Sequence, residues 1–151
     1  TIAMNHMKLE FDALSENEPF ARNAVAAFCL SLDPSLDELS DVKTAVSEAV
    51  TNCIVHAYRG SRGTVVIECE TEGDAVHIRI SDSGRGISDL KKALEPFYTE
   101  TEDEERSGMG FTIMQTFMSG FSVRSEKGKG TTVSMSKYFG RNKSSEVANV
   151  E

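Results

Sequence analysis

The chain has 151 residues, 24 of them acidic and 16 basic, for a net charge of −8. That length fits one domain able to bury roughly 70% of the surface its unfolded form exposes. The charge excludes the clustered Lys/Arg field of a nucleic-acid surface, so no direct nucleic-acid contact is expected and any transcriptional role would pass through a protein partner. No run approaches the roughly eighteen apolar residues of a membrane span, and no basic segment followed by an apolar one opens the chain; a cytoplasmic protein with no membrane contact is expected. Cys29, Cys53 and Cys69 are odd in number, far apart and set in apolar patterns, which predicts buried reduced thiols rather than a zinc site.

Residues 1–6 read as an extension, 7–138 as the domain and 139–151 as a polar, disordered tail. Residues 8–13 alternate as a strand, with Leu9 and Phe11 on one face. Ser15 and Glu18 have the spacing of a capping box, predicting a helix from Ser15 to about Leu32 with Ala21, Val25, Phe28, Cys29 and Leu32 as its stripe. Asp33-Pro34 stops it, and Ser35 with Glu38 forms a second box opening a long helix that ends near Tyr58. Its apolar stripe leaves Glu48 and Asn52 to one side. After a turn over residues 60–63, two strands are predicted at 64–71 and 75–81, the second delivering Asp82 at its end. A short helix is expected over 88–94. Residues 96–107 carry five acidic residues and no apolar period, the composition of a mobile lid. A helix over 108–118 and a hairpin of 121–125 with 131–137 complete the domain. About five strands and three substantial helices make an α+β, two-layer sandwich, whose strand order the pattern leaves open.

Three motifs carry chemistry. Glu48 and Asn52 are four residues apart on one helix face, suiting a phosphate-transfer base beside an oxygen ligand for a hard cation. Asp82-Ser83-Gly84-Arg85-Gly86 follows a buried strand, where an acid can meet an exposed base edge while Gly84 and Gly86 let the backbone turn tightly. Arg106, Ser107, Gly108, Met109 and Gly110 open a helix whose free N–H groups favour phosphate oxygens. Together they read as a nucleotide site. The stretch Gly128-Lys129-Gly130-Thr131 lacks the glycine a Walker A loop needs, which removes the P-loop class. His6, His56 and His77 form neither a triad nor a ligand set.

In order and spacing these motifs resemble the N, G1 and G2 boxes of the GHKL ATP-binding family: gyrase, the ninety-kilodalton heat-shock chaperones, histidine kinases and MutL. The stretches at 15–22, 46–52 and 105–114 resemble, more narrowly, the sporulation anti-sigma factors of the sigma-F type, which are serine/threonine-protein kinases, and the likeness runs from about Met7 to Lys137. The resemblance implies a Bergerat-type sandwich with a mixed, mostly antiparallel sheet covered on one face by helices. It implies ATP/ADP and Mg²⁺ as cofactors, Asn52 as the metal ligand, Glu48 as catalytic base and Arg106 as partner of the γ-phosphate. It implies further that Asp82 accepts from the exocyclic amino group of adenine, selecting it over guanine, and that Thr132 or its neighbour Thr131 shares that network. Implied partners are a sigma factor and an anti-anti-sigma (STAS-type) substrate, both meeting Arg22, and a second copy in a homodimer. Where many members have Thr-Thr-Lys in the lid, this chain has Thr99-Glu100-Thr101. Competing readings are a general-stress, sigma-B type anti-sigma kinase and a nucleotide-gated sigma-binding module without transfer; Glu48 and Arg106 speak against the latter, since a pure binder needs neither.

Overall fold

The computed structural model describes residues 4–59, 61–96 and 109–140. Five strands, β1 (His6–Asp12), β2 (Thr64–Glu72), β3 (Ala75–Asp82), β4 (Gly120–Glu126) and β5 (Gly130–Tyr138), form one sheet in the order β1-β2-β3-β5-β4. All four pairings are antiparallel, where a mixed, mostly antiparallel sheet was expected; the two-layer α+β class holds. The helices are α1 (Asn17–Cys29), α2 (Leu36–Thr51), the short α3 (Leu90–Ala93) and α4 (Gly110–Phe117). Helices α1 and α4 both pack on α2.

The register makes the two faces legible. Met7, Cys69, Ile78, Met135 and Phe121 form one cross-strand row, and Leu9, Ile67, Ile80, Val133 and Val123 the next. These rows meet Val25, Val42, Val46 and Val50 of α1 and α2 in the core, as period-two strands facing a helical stripe require. The alternate residues include Glu68 and Arg79, paired at 3.1 Å, and His77, whose Nδ1 lies 2.8 Å from the Ser136 hydroxyl. All three cysteines are free and buried, and burial pushes the Cys29 and Cys69 thiols up to about 12.

The two predicted capping boxes part company. At α2 the Ser35 hydroxyl accepts from the Glu38 amide (3.1 Å) while the Glu38 carboxylate accepts from the Ser35 amide (2.8 Å). The second Glu38 oxygen accepts from the Gly140 amide at 2.8 Å, tying the end of β5 to the start of α2. At α1 the box does not form: Glu16 is the N-cap and no side chain caps it. The Glu18 carboxylate instead takes the Arg22 guanidinium at 2.7 Å and the Ser47 hydroxyl of α2 at 2.8 Å. The Arg22 guanidinium reaches both Glu18 oxygens, at 2.7 and 3.0 Å, so the carboxylate is engaged along α1 and across to α2 rather than by the chain entering α1.

Near the domain boundaries, strand pairing reaches back to His6, with the Thr71 amide donating to the Asn5 carbonyl. Phe139 is buried at the far end. Residues 141–151 lie outside the described residues.

Candidate active site

A third cross-strand row changes character along its length: Phe11 and Val65 are followed by Asp82, Thr131 and Ser125. The apolar core therefore ends in a polar edge at one end of the sheet. Asp82 is the last residue of β3, and its Oδ1 accepts from the Gly84 amide at 2.9 Å. Burial raises its carboxyl above its ordinary value, opposed by hydrogen bonds from the Gly84 amide, the Cys53 thiol and the Thr131 amide.

The loop after Asp82 touches backbone on both sides, and this is what its glycines permit. A Cβ on Gly84 would sit 2.5 Å from the Ala57 carbonyl oxygen. Gly86, at φ +72°, would overlap the Glu126 carbonyl of the β4–β5 hairpin, and Gly130, at φ +102°, the Asp82 carbonyl. No other residue type fits these close approaches without moving the backbone.

Opposite this loop, α2 does not simply end. Residues Asn52–Ala57 continue it as a π-helical turn, a rare form that recurs at functional sites. Both polar atoms of the Asn52 side chain are buried and have no hydrogen-bond partner among the described residues. Leaving a buried amide unpaired costs about 1–3 kcal/mol, so the site is built for a group that supplies the partner. An amide oxygen suits a hard cation already carrying waters and phosphate oxygens, so Asn52 fits Mg²⁺ with a nucleotide. Glu48 lies one turn earlier on the same face, half-buried.

Two residues not singled out from sequence join the loop to this turn. Arg85 donates its amide to the Ala57 carbonyl at 3.0 Å and its Nε to the His56 carbonyl at 2.9 Å, satisfying acceptors the helix end leaves open. The Tyr58 hydroxyl donates to the Thr64 carbonyl at 2.6 Å and accepts from the Ser83 amide at 2.8 Å. The only sequence signal for Arg85 was its place between two glycines; for Tyr58 it was a position at the helix end.

The register separates the two threonines. Thr131 lies directly across from Asp82, on the helix-covered face, and its hydroxyl is 2.7 Å from that of Ser125. Thr132 lies across from Ser81, 3.2 Å between hydroxyls, on the opposite face. Gly110 is the buried first residue of α4 and Met109 its N-cap; Arg106, Ser107, Gly108 and most of the acidic lid lie outside the described residues. Arg22 stands apart from this pocket, held by Glu18 on α1. No helix among the described residues is long and apolar enough to cross a membrane.

Residues 11–137 match the family model described as the histidine kinase-like ATPase domain. The chain is 52% identical over 139 residues to an anti-sigma F factor of Caldanaerobacter subterraneus subsp. tengcongensis, covering 92% of this chain and 97% of that protein. It is 58% identical over 136 residues to an anti-sigma F factor of Clostridium botulinum (strain Eklund 17B / Type B), covering 89% and 95%. Among solved structures, the RsbU and RsbW domains of a Mycobacterium tuberculosis protein superpose with a TM-score of 0.65 at 18% identity, covering 89% of this chain and 32% of that one. That likeness extends the fold to a distant sequence.

Proposed function

The chain belongs to the histidine kinase-like ATPase domain family and groups there with the anti-sigma F factors; from that premise we propose that it holds a sigma factor of the sigma-F type when ATP-bound and phosphorylates its anti-anti-sigma antagonist on serine. The observation that carries this reading is the Asn52 amide, without a partner among the described residues, on a π turn one helical turn beyond Glu48 and docked against the Asp82 loop.

Each residue has a distinct task. Asp82, backed by Thr131, receives the exocyclic amino group of adenine, while Gly84 and Gly86 let the backbone come close to the ring. Asn52 would hold Mg²⁺, which when bound would supply neutralisation of the phosphate charge. Gly110, Met109, Gly108 and Ser107 offer helix-start N–H groups to the phosphates, and Arg106 balances the charge on the transferred phosphoryl. Glu48 takes the proton from the attacking serine hydroxyl of the substrate. Arg22 makes the partner contact, exchanging Glu18 for an acidic group on the incoming protein. A homodimer in the cytoplasm completes the proposal.

The test is transfer of label from γ-labelled ATP with Mg²⁺ to a purified anti-anti-sigma protein, comparing wild type with Glu48→Ala. Phosphoserine formed by wild type and lost at least about 100-fold in the variant, with ATP still bound, is the expected result. A wild type that binds ATP and transfers nothing would leave a nucleotide-gated binding module; a variant that transfers at the normal rate would remove Glu48 as the base.

A further inference from the structure

Ser125 closes the row that holds Asp82 and Thr131, and its single hydroxyl meets three groups. It accepts from the Ile87 amide at 2.8 Å, stands 2.7 Å from Thr131 Oγ1 and lies 3.1 Å from the Gly130 carbonyl. A serine hydroxyl has one proton to give, so two arrangements share these heavy-atom positions. If Ser125 donates to Gly130, Thr131 must donate to Ser125, and Thr131 then faces the pocket only as an acceptor. If Ser125 donates to Thr131, the threonine keeps its own proton for the pocket.

Length and charge favour the second arrangement. A separation of 2.7 Å is near the commonest O–H···O distance, while 3.1 Å is beyond the usual range for a hydroxyl donor. The first arrangement would set two acceptors, Thr131 and the Asp82 carboxylate, side by side across one register position, whereas the second sets a donor beside an acceptor. The Ile87 amide, donating into Ser125 from the Asp82 loop, takes one of the two lone pairs and fixes the hydroxyl oxygen in place in either arrangement.

We infer that Ser125 is a positioning residue for base selection, orienting the Thr131 hydroxyl so that the sheet edge presents a donor next to the Asp82 acceptor. Adenine offers the complementary pair, an amino donor beside a ring-nitrogen acceptor; guanine offers the reverse, a carbonyl beside a ring N–H. Asp82 alone rejects the guanine carbonyl; with Thr131 turned outward as a donor, the ring N–H is rejected too. This rests on the ATP reading above, and deepens it by naming what fixes the polarity of the second contact.

The experiment is calorimetric titration of Mg-ATP and Mg-GTP into the full chain as wild type, Ser125→Ala and Ser125→Thr, with circular dichroism to verify the fold. The expected result is that Ser125→Ala lowers the ratio of ATP to GTP affinity about tenfold and that Ser125→Thr, which keeps the hydroxyl, restores it. A role confined to bracing the hairpin would weaken both nucleotides alike, and an unchanged ratio in Ser125→Ala would overturn the inference while leaving the ATP site standing. Should Ser125→Ala not fold, Ser125→Cys, whose thiol is a weak donor, must lower the ratio in its place. A wild type that binds neither nucleotide would overturn the functional reading itself, and this inference with it.

Discussion

At the sheet end of the pocket, Asp82, Thr131 and Ser125 already hold hydrogen-bond partners, and backbone is pressed against backbone at Gly84, Gly86 and Gly130. At the helix end, the Asn52 amide is buried and has no partner among the described residues. The same chain thus keeps one end finished and the other open. A base is flat and uncharged, and a preformed edge can read it without rearrangement. A triphosphate carries charge and brings a cation, so the groups that meet it are left to be completed on binding. The unpaired amide costs stability in the empty protein and returns that cost as affinity, which is a common way of linking binding to a change of state.

The largest effect should come from breaking the finished end. Gly130→Ala forces a side chain onto the Asp82 carbonyl at φ +102°, and should lower stability by about 3 kcal/mol in chemical denaturation and remove ATP binding. Asp82→Asn keeps the shape and removes the charge; ATP affinity should fall about 10- to 100-fold by calorimetry with little loss of stability.

Acid should separate the two roles of Asp82. Its folded carboxyl titrates above the ordinary value of 3.8 because it is buried. The folded state therefore binds that proton more tightly than the unfolded state, so the stability this group contributes is fully present below the unfolded value and is lost as pH rises through the folded one. ATP binding runs the other way, since the protonated acid is a poorer acceptor. Between neutral pH and the ordinary carboxylate value, wild-type ATP affinity should fall with acid more steeply than that of Asp82→Asn; parallel curves would remove Asp82 as the titrating contact.

Much of this was legible in one sequence. The alternation in β2 and β3 placed Asp82 at a strand end, and the 3.6-residue stripe of α2 set Glu48 and Asn52 together off the core. What escaped was whatever depends on pairing between distant segments. Only the β3–β5 register distinguishes Thr131 from Thr132, since one residue of slip exchanges the faces. The box at Ser15 and Glu18 matched the local rule as well as the one at Ser35 and Glu38, yet Glu18 was taken by Arg22 one turn on and by Ser47, 29 residues away. Arg85 and Tyr58 were missed for the same reason: their carbonyl and amide partners lie on the π turn, at the start of β2 and in the loop after β3, and nothing in the local sequence marks the helix as widening over Asn52–Ala57.

The smallest change in stability should accompany the most telling change in binding. Asn52→Ala removes an unpaired buried amide, so the empty protein should lose less than about 1 kcal/mol, or gain a little. Titration of ATP into wild type and Asn52→Ala, each with Mg²⁺ and with chelator, is therefore the most direct test. Wild type should bind ATP far more tightly with Mg²⁺ than without, and the variant should lose that difference while melting within a few degrees of wild type. A variant that binds Mg-ATP as tightly as wild type would contradict the assignment of the helix end to the metal-bearing phosphates.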